Sequence, residues 1–112
     1  MTVEVTVRHL ELSDWMRDYA REKADELGDS FPRIEHVHVI LDGQKREHSA
    51  EFVVQGKNHI RLEAKDNAEE MRTAIDRCFD KIERQLRKLR DRIQDHKGKV
   101  DMATFEREQQ GG

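Results

Sequence analysis

Five cations, Arg77, Lys81, Arg84, Lys88 and Arg92, recur every three or four residues near the end of this 112-residue chain. At about 100° per residue that spacing places them along one side of a helix over about residues 68–97. The opposite side carries Met71, Ile75, Cys78, Phe79, Ile82, Leu86, Leu89 and Ile93, an apolar stripe that must be covered. A row of cations on a rigid, half-buried helix can neutralise successive phosphates and release their counterions. Arg87 and Arg90 lie in the same segment. The plainer alternative is a solvated face held by intrahelical pairs such as Asp80–Arg84.

Charge distribution sharpens this choice. The whole chain is acidic, with a formal net charge of −3, which argues against a simple basic nucleic-acid binder. Residues 77–99 nevertheless hold nine Lys/Arg against four acids, a net of +5. Residues 101–112 carry −2 and residues 1–76 carry −6. Segregation of this kind points to electrostatic recognition of a polyanion. A second reading is a protein-interaction module that binds a partner through an open sheet face or edge strand, with the cations serving only solubility. Salt dependence separates the two.

Other chemistry has less to stand on. Lys23 has Trp15, Tyr19 and Leu27 as helix neighbours and projects close to the middle of their face. There it either covers apolar surface or is a cation held near a groove between two helices. Six histidines include His36 and His38 on one strand face, with His59 expected on the same sheet surface. Three or four convergent ligands are not in view, so no metal and no cofactor is expected. No Gly-rich phosphate loop, nucleophile elbow or HExxH is present, so neither catalysis nor a small-molecule substrate is expected. Cys78 lies in the apolar stripe and reads as a small core residue. Trp15, Tyr19 and Phe79 read as core; Phe31 either closes one end of it or offers a ring for base stacking. No apolar run approaches the ~20 residues of a membrane span, and no signal peptide is visible, so a cytoplasmic protein is expected.

The elements that must position these residues follow from periodicity. Residues 2–8 alternate, with Val3, Val5 and Val7 on one side, as in a half-buried strand. Ser13 caps a helix that runs to about Leu27, with Gly28 as its stop. Strands follow over 34–41, 47–55 and 58–65, separated by a turn at Asp42–Arg46 and a short hairpin loop at Gly56. Asp66 or Asn67 caps the long helix, and Gly98 ends it. The expected architecture is α+β: a β-α-β-β-β-α two-layer sandwich, its four-stranded sheet covered on one face by two helices. One domain over 1–98 and a polar tail over 99–112 complete the expectation.

That element order in about a hundred residues resembles the ribosome hibernation promoting factor family, also called ribosome-associated inhibitors. The resemblance covers about residues 1–97. It is carried by Ala64–Lys88, with Ala74-Ile75-Asp76 and the run Asp80–Lys88 (DKIERQLRK), and by Lys23-Ala24 and Phe31-Pro32-Arg33-Ile34. It implies a protein that binds the small ribosomal subunit in the mRNA and tRNA channel and silences idle ribosomes, as a short member of the family. The implied partners are small-subunit rRNA and ribosomal proteins, with a monomer off the ribosome and no membrane. The implied rRNA contacts are Lys23, Arg77, Lys81, Arg84, Arg87, Lys88, Arg90 and Arg92.

Overall fold

The computed structural model describes residues 1–95. Gly98 and the 99–112 tail lie outside the described residues. The elements run β1 (Thr2–Arg8), α1 (Asp14–Ser30), β2 (Ile34–Gly43), β3 (His48–Gly56), β4 (Arg61–Ala68) and α2 (Met71–Asp95). The strands form one sheet in the order β1-β2-β3-β4. β1 and β2 are parallel, joined by the α1 crossover, and the other two pairs are antiparallel.

Alternating apolar residues meet in rows across this sheet. Val5 stands beside Val39, Val39 beside Phe52, and Phe52 beside Ala64. Val3, Val37, Val54 and Leu62 make the next row. Each row is one face of a pleat, so both helices can cover it at once. α1 lies over β1 and β2, and α2 over β3 and β4. The α2 stripe is buried as its spacing requires, from Met71 through Leu89, with Ile93 half-buried at the end.

Several boundaries differ from the sequence expectation. α1 does not stop at Gly28; it continues to Ser30 and ends at Phe31, the residue before Pro32. A residue preceding proline is pushed out of the helical region, and that restriction sets the end here. Gly28 instead accommodates a neighbour, since a Cβ there would lie 2.2 Å from the Met1 sulfur. The expected cap of α2 at Asp66 or Asn67 is also replaced. β4 runs on through Ala68, pairing Asp66 with Ala50, Asn67 with Ser49 and Ala68 with His48. Ladder partners on β3 satisfy those backbone groups, so the helix begins three residues later. His59 leaves the sheet surface: it sits with Asn58 in the β3–β4 turn, both at φ near 61–62°. Two successive left-handed residues are what a tight hairpin turn demands.

Cys78 is fully buried, and its thiol donates to the Ala64 carbonyl at 3.2 Å. Burial pushes its pKa from 9.0 up to about 12. Because the folded value is raised, the thiol's contribution to stability is present below pH 9 and is lost as pH climbs from 9 toward 12. Urea unfolding should therefore show stability falling across that window, and Cys78→Ala should flatten the decline. An equal decline in the variant would assign it to other groups.

Candidate nucleic-acid interface

The eight cations named from sequence do not form one row. Seven of them lie on α2, facing more than one direction, and Lys23 lies on α1. Arg77 and Lys81 turn toward β4: the Arg77 guanidinium donates to the Asn67 carbonyl at 3.3 Å, and Lys81 Nζ donates to the Lys65 carbonyl at 3.2 Å. Lys81 also pairs with Asp66 at 3.2 Å. Burial alone would raise the Asp66 pKa, but the Asn67 N–H and the Lys81 ammonium outweigh it and hold the carboxyl below its ordinary value. Both cations are thus partly committed to the fold.

Arg87 and Arg90 lie on the flank of α2 nearer α1. Arg87 pairs with Glu83 at 3.0 Å, one turn earlier. Arg90 places its guanidinium carbon 5.2 Å from the centre of the Phe31 ring. Phe31 itself is buried, so it closes the end of the core and does not offer a free face. Arg84 and Lys88 point outward between the two groups. They are exposed, and no hydrogen bond or ion pair engages them within the described residues. Arg92 is half-buried and has a partner of its own.

Lys23 sits in the groove between the helices, where its Nζ lies 4.7 Å from the centre of the Phe79 ring and 5.7 Å from that of Tyr19. A 3.8 Å pair to Glu26 completes its surroundings, and its side chain is 23% exposed. It is a boundary residue, not the centre of the apolar face. The buried line of α1 is Ala20, Ala24 and Leu27 with Met16 beside it, which puts Lys23 about 60° off centre at 100° per residue.

The same geometry overturns the expectation for Trp15. It lies well over 100° from that line and is 58% exposed. Its ring stacks on Tyr19, with centroids 5.9 Å apart and planes 10° from parallel. Arg72, at the start of α2, was not singled out from sequence. Its guanidinium carbon stands 4.9 Å from the Tyr19 ring centre and 5.8 Å from that of Trp15. The Tyr19 hydroxyl donates to Asp76. Burial first, and then that hydrogen bond, raise the Tyr19 pKa above its ordinary value. The signal for this cluster was present in the spacing. Arg72, Asp76, Phe79, Glu83, Arg87 and Arg90 recur at three and four residues, marking the flank of α2 that meets α1.

On the uncovered sheet face, His36 approaches Glu4 at 3.7 Å and His38 hydrogen-bonds Thr6 at 2.8 Å. Among the described residues, no group of three or more His, Cys, Asp or Glu converges to hold a metal. No described helix is long and apolar enough to cross a membrane.

What remains is a surface of two helices and the groove between them, with outward cations on α2, Lys23 in the groove, and Arg72 beside an aromatic stack. Among the described residues, that surface gathers positive charge beside a stacked aromatic pair.

Comparisons with known proteins agree with this architecture. Ribosome hibernation promoting factor of Escherichia coli is 30% identical over 99 residues, covering 86% of this chain and all of that protein. The protein of the same name from Pseudomonas putida is 32% identical over 94 residues, 84% of this chain and 91% of its own length. Among solved structures, a ribosomal subunit interface protein from Coxiella burnetii shares the fold with a TM-score of 0.74 at 20% identity, covering 81% of this chain and 99% of that one. The Protein Y N-terminal domain of Thermus thermophilus gives a TM-score of 0.64 at 28% identity, covering 80% and 99%. The model of the family described as Sigma 54 modulation protein / S30EA ribosomal protein matches residues 3–94, and the chain therefore belongs to that family, the one its sequence resembled.

Proposed function

We propose that this chain is a ribosome-associated translation inhibitor of the hibernation type, acting by occupancy without catalysis. The observation that carries the reading is the family match across residues 3–94, nearly the whole described fold. The finer reading is that the domain fills the mRNA and tRNA channel of the small subunit, as a cytoplasmic protein that is monomeric off the ribosome. The cations of α2 and Lys23 then grip rRNA phosphates, and the A-form backbone is recognised by shape. The acidic remainder of the chain discourages binding to arbitrary RNA.

Sedimentation of the purified protein with ribosomes on sucrose gradients, at low and high salt, tests this. Co-migration with the small subunit that is lost at high salt is expected. No co-migration at any salt sinks the proposal. Salt-insensitive co-migration replaces phosphate contact with a protein interface.

Lys23→Met separates packing from binding at the groove. The methionine keeps the stem's apolar contact and gives up cation–π attraction worth about 0.5–1 kcal/mol at such a site. Stability should therefore change by no more than about 1 kcal/mol. Ribosome affinity should fall, and its salt slope should shrink by about one unit. Unchanged affinity would assign Lys23 to packing alone.

A further inference from the structure

Trp15 is the chain's single tryptophan. A single exposed hydrophobic side chain is ordinary on a protein surface and by itself says nothing. Trp15 differs because it is held. Tyr19 stacks beneath it in near-parallel planes, and Arg72 reaches across from α2 to both rings. The Tyr19 hydroxyl is tied to Asp76 on α2, which fixes the ring supporting the indole. Lys23 continues the line one turn further, 5.7 Å from Tyr19. The indole is therefore partly ordered before anything binds, so little side-chain entropy remains to be lost when a partner arrives.

An ordered, exposed aromatic surface with cations alongside is the arrangement that holds single-stranded nucleic acid. The ring takes a base on its π-face while the cations follow the backbone. We infer that Trp15 is a stacking platform for an unpaired RNA base, at one end of the groove between the helices. The inference rests on the reading of this chain as an rRNA binder and adds a specific contact to it. An apolar protein partner would also cover the indole, but Arg72 and Lys23 favour an occupant that brings phosphates with it.

The platform makes a contact of a different kind from the cations of α2. It neutralises no phosphate, so its loss should weaken binding at every salt concentration without changing the slope. Any flat aromatic ring should replace it in part, whereas an aliphatic side chain of similar bulk should not.

The test compares wild type with Trp15→Phe and Trp15→Leu for affinity to isolated small subunits across a salt series. Melting temperatures serve as the check on folding, which the exposure of Trp15 protects. Trp15→Leu should bind roughly 5- to 150-fold more weakly, the range of one lost base stack, while Trp15→Phe stays within about threefold of wild type. The salt slopes of all three should coincide. Undiminished binding by Trp15→Leu overturns the platform and leaves the ribosome reading intact. Equal losses in the Phe and Leu variants also overturn it, in favour of apolar burial against a protein. If the wild type itself fails to bind, the ribosome reading falls and the platform falls with it.

Discussion

Reversing Arg84 and Lys88 together to glutamate is expected to weaken ribosome binding on the order of 100-fold at low salt and to reduce the salt slope by roughly 1.5. These two are chosen because the structure leaves them exposed and without partners among the described residues. Lys81 is a poorer target, since its ammonium pairs with Asp66 and caps the Lys65 carbonyl. Reversing it would disturb the joint between α2 and β4 as well as any phosphate contact. In the double variant, the carboxylate introduced at position 84 would gain Arg87 as a neighbour and meet Asp80. The one introduced at position 88 would gain Arg92 but meet Asp91 and the new carboxylate at position 84. Such exposed pairs are worth about 0.2–0.5 kcal/mol each, so the fold should be nearly unaffected. Affinity and thermal unfolding measured on the same preparation check both halves. A folded double variant that binds as wild type would remove α2 from the interface.

Phe52→Ala should have the largest effect on stability, a loss of about 3–5 kcal/mol. Phe52 is fully buried in the middle of the sheet, between Val39 and Ala64 on the neighbouring strands. Its ring meets Phe79 of α2 edge-on, with centroids 6.5 Å apart and planes at 73°. Truncation removes the transfer free energy of the ring, the edge-to-face contact, and the support beneath the ring over which Lys23 lies. Against a total of about 5–15 kcal/mol for an ordinary domain, this is a large share. Urea denaturation should show the midpoint moving down with an unchanged slope. A loss below about 1 kcal/mol would mean the sheet and α2 collapse around the gap, and the core is softer than its packing suggests.

The element order, the one-sided sheet and the buried stripe of α2 were all legible in the sequence. Periodicity is a local property: alternation at two and recurrence at three and four state which side of an element faces the core, whatever the core contains. Val37, Val39 and Leu41, or Ile75, Cys78 and Ile82, needed no knowledge of their partners to be placed inside. Ser13 was legible for the same reason, because a cap acts within one turn; its hydroxyl accepts from the Met16 N–H at 3.2 Å.

The local reading failed where a partner distant in sequence decides. On α1 the sequence places Met16, Ala20 and Leu27 inside, but the bulk of Trp15 and Tyr19 pulls the apparent apolar face away from Ala24. Ala20 and Ala24 are the buried line because α1 needs small residues where it lies over β1 and β2. That rotation turned Trp15 outward, moved Lys23 to the groove and set Arg72 over the exposed rings. Asp66–Ala68 look like a helix start in isolation and become strand because β3 offers them a ladder. Within the cationic row, Arg77 and Lys81 are drawn to the Asn67 and Lys65 carbonyls, while Arg90 on the neighbouring flank is drawn to the Phe31 ring. On the strands and on α2 the sequence by itself determined which residues face the core. Only the tertiary structure decided which cations stay free, since a cation's partner is set by whatever backbone or ring the fold brings to it.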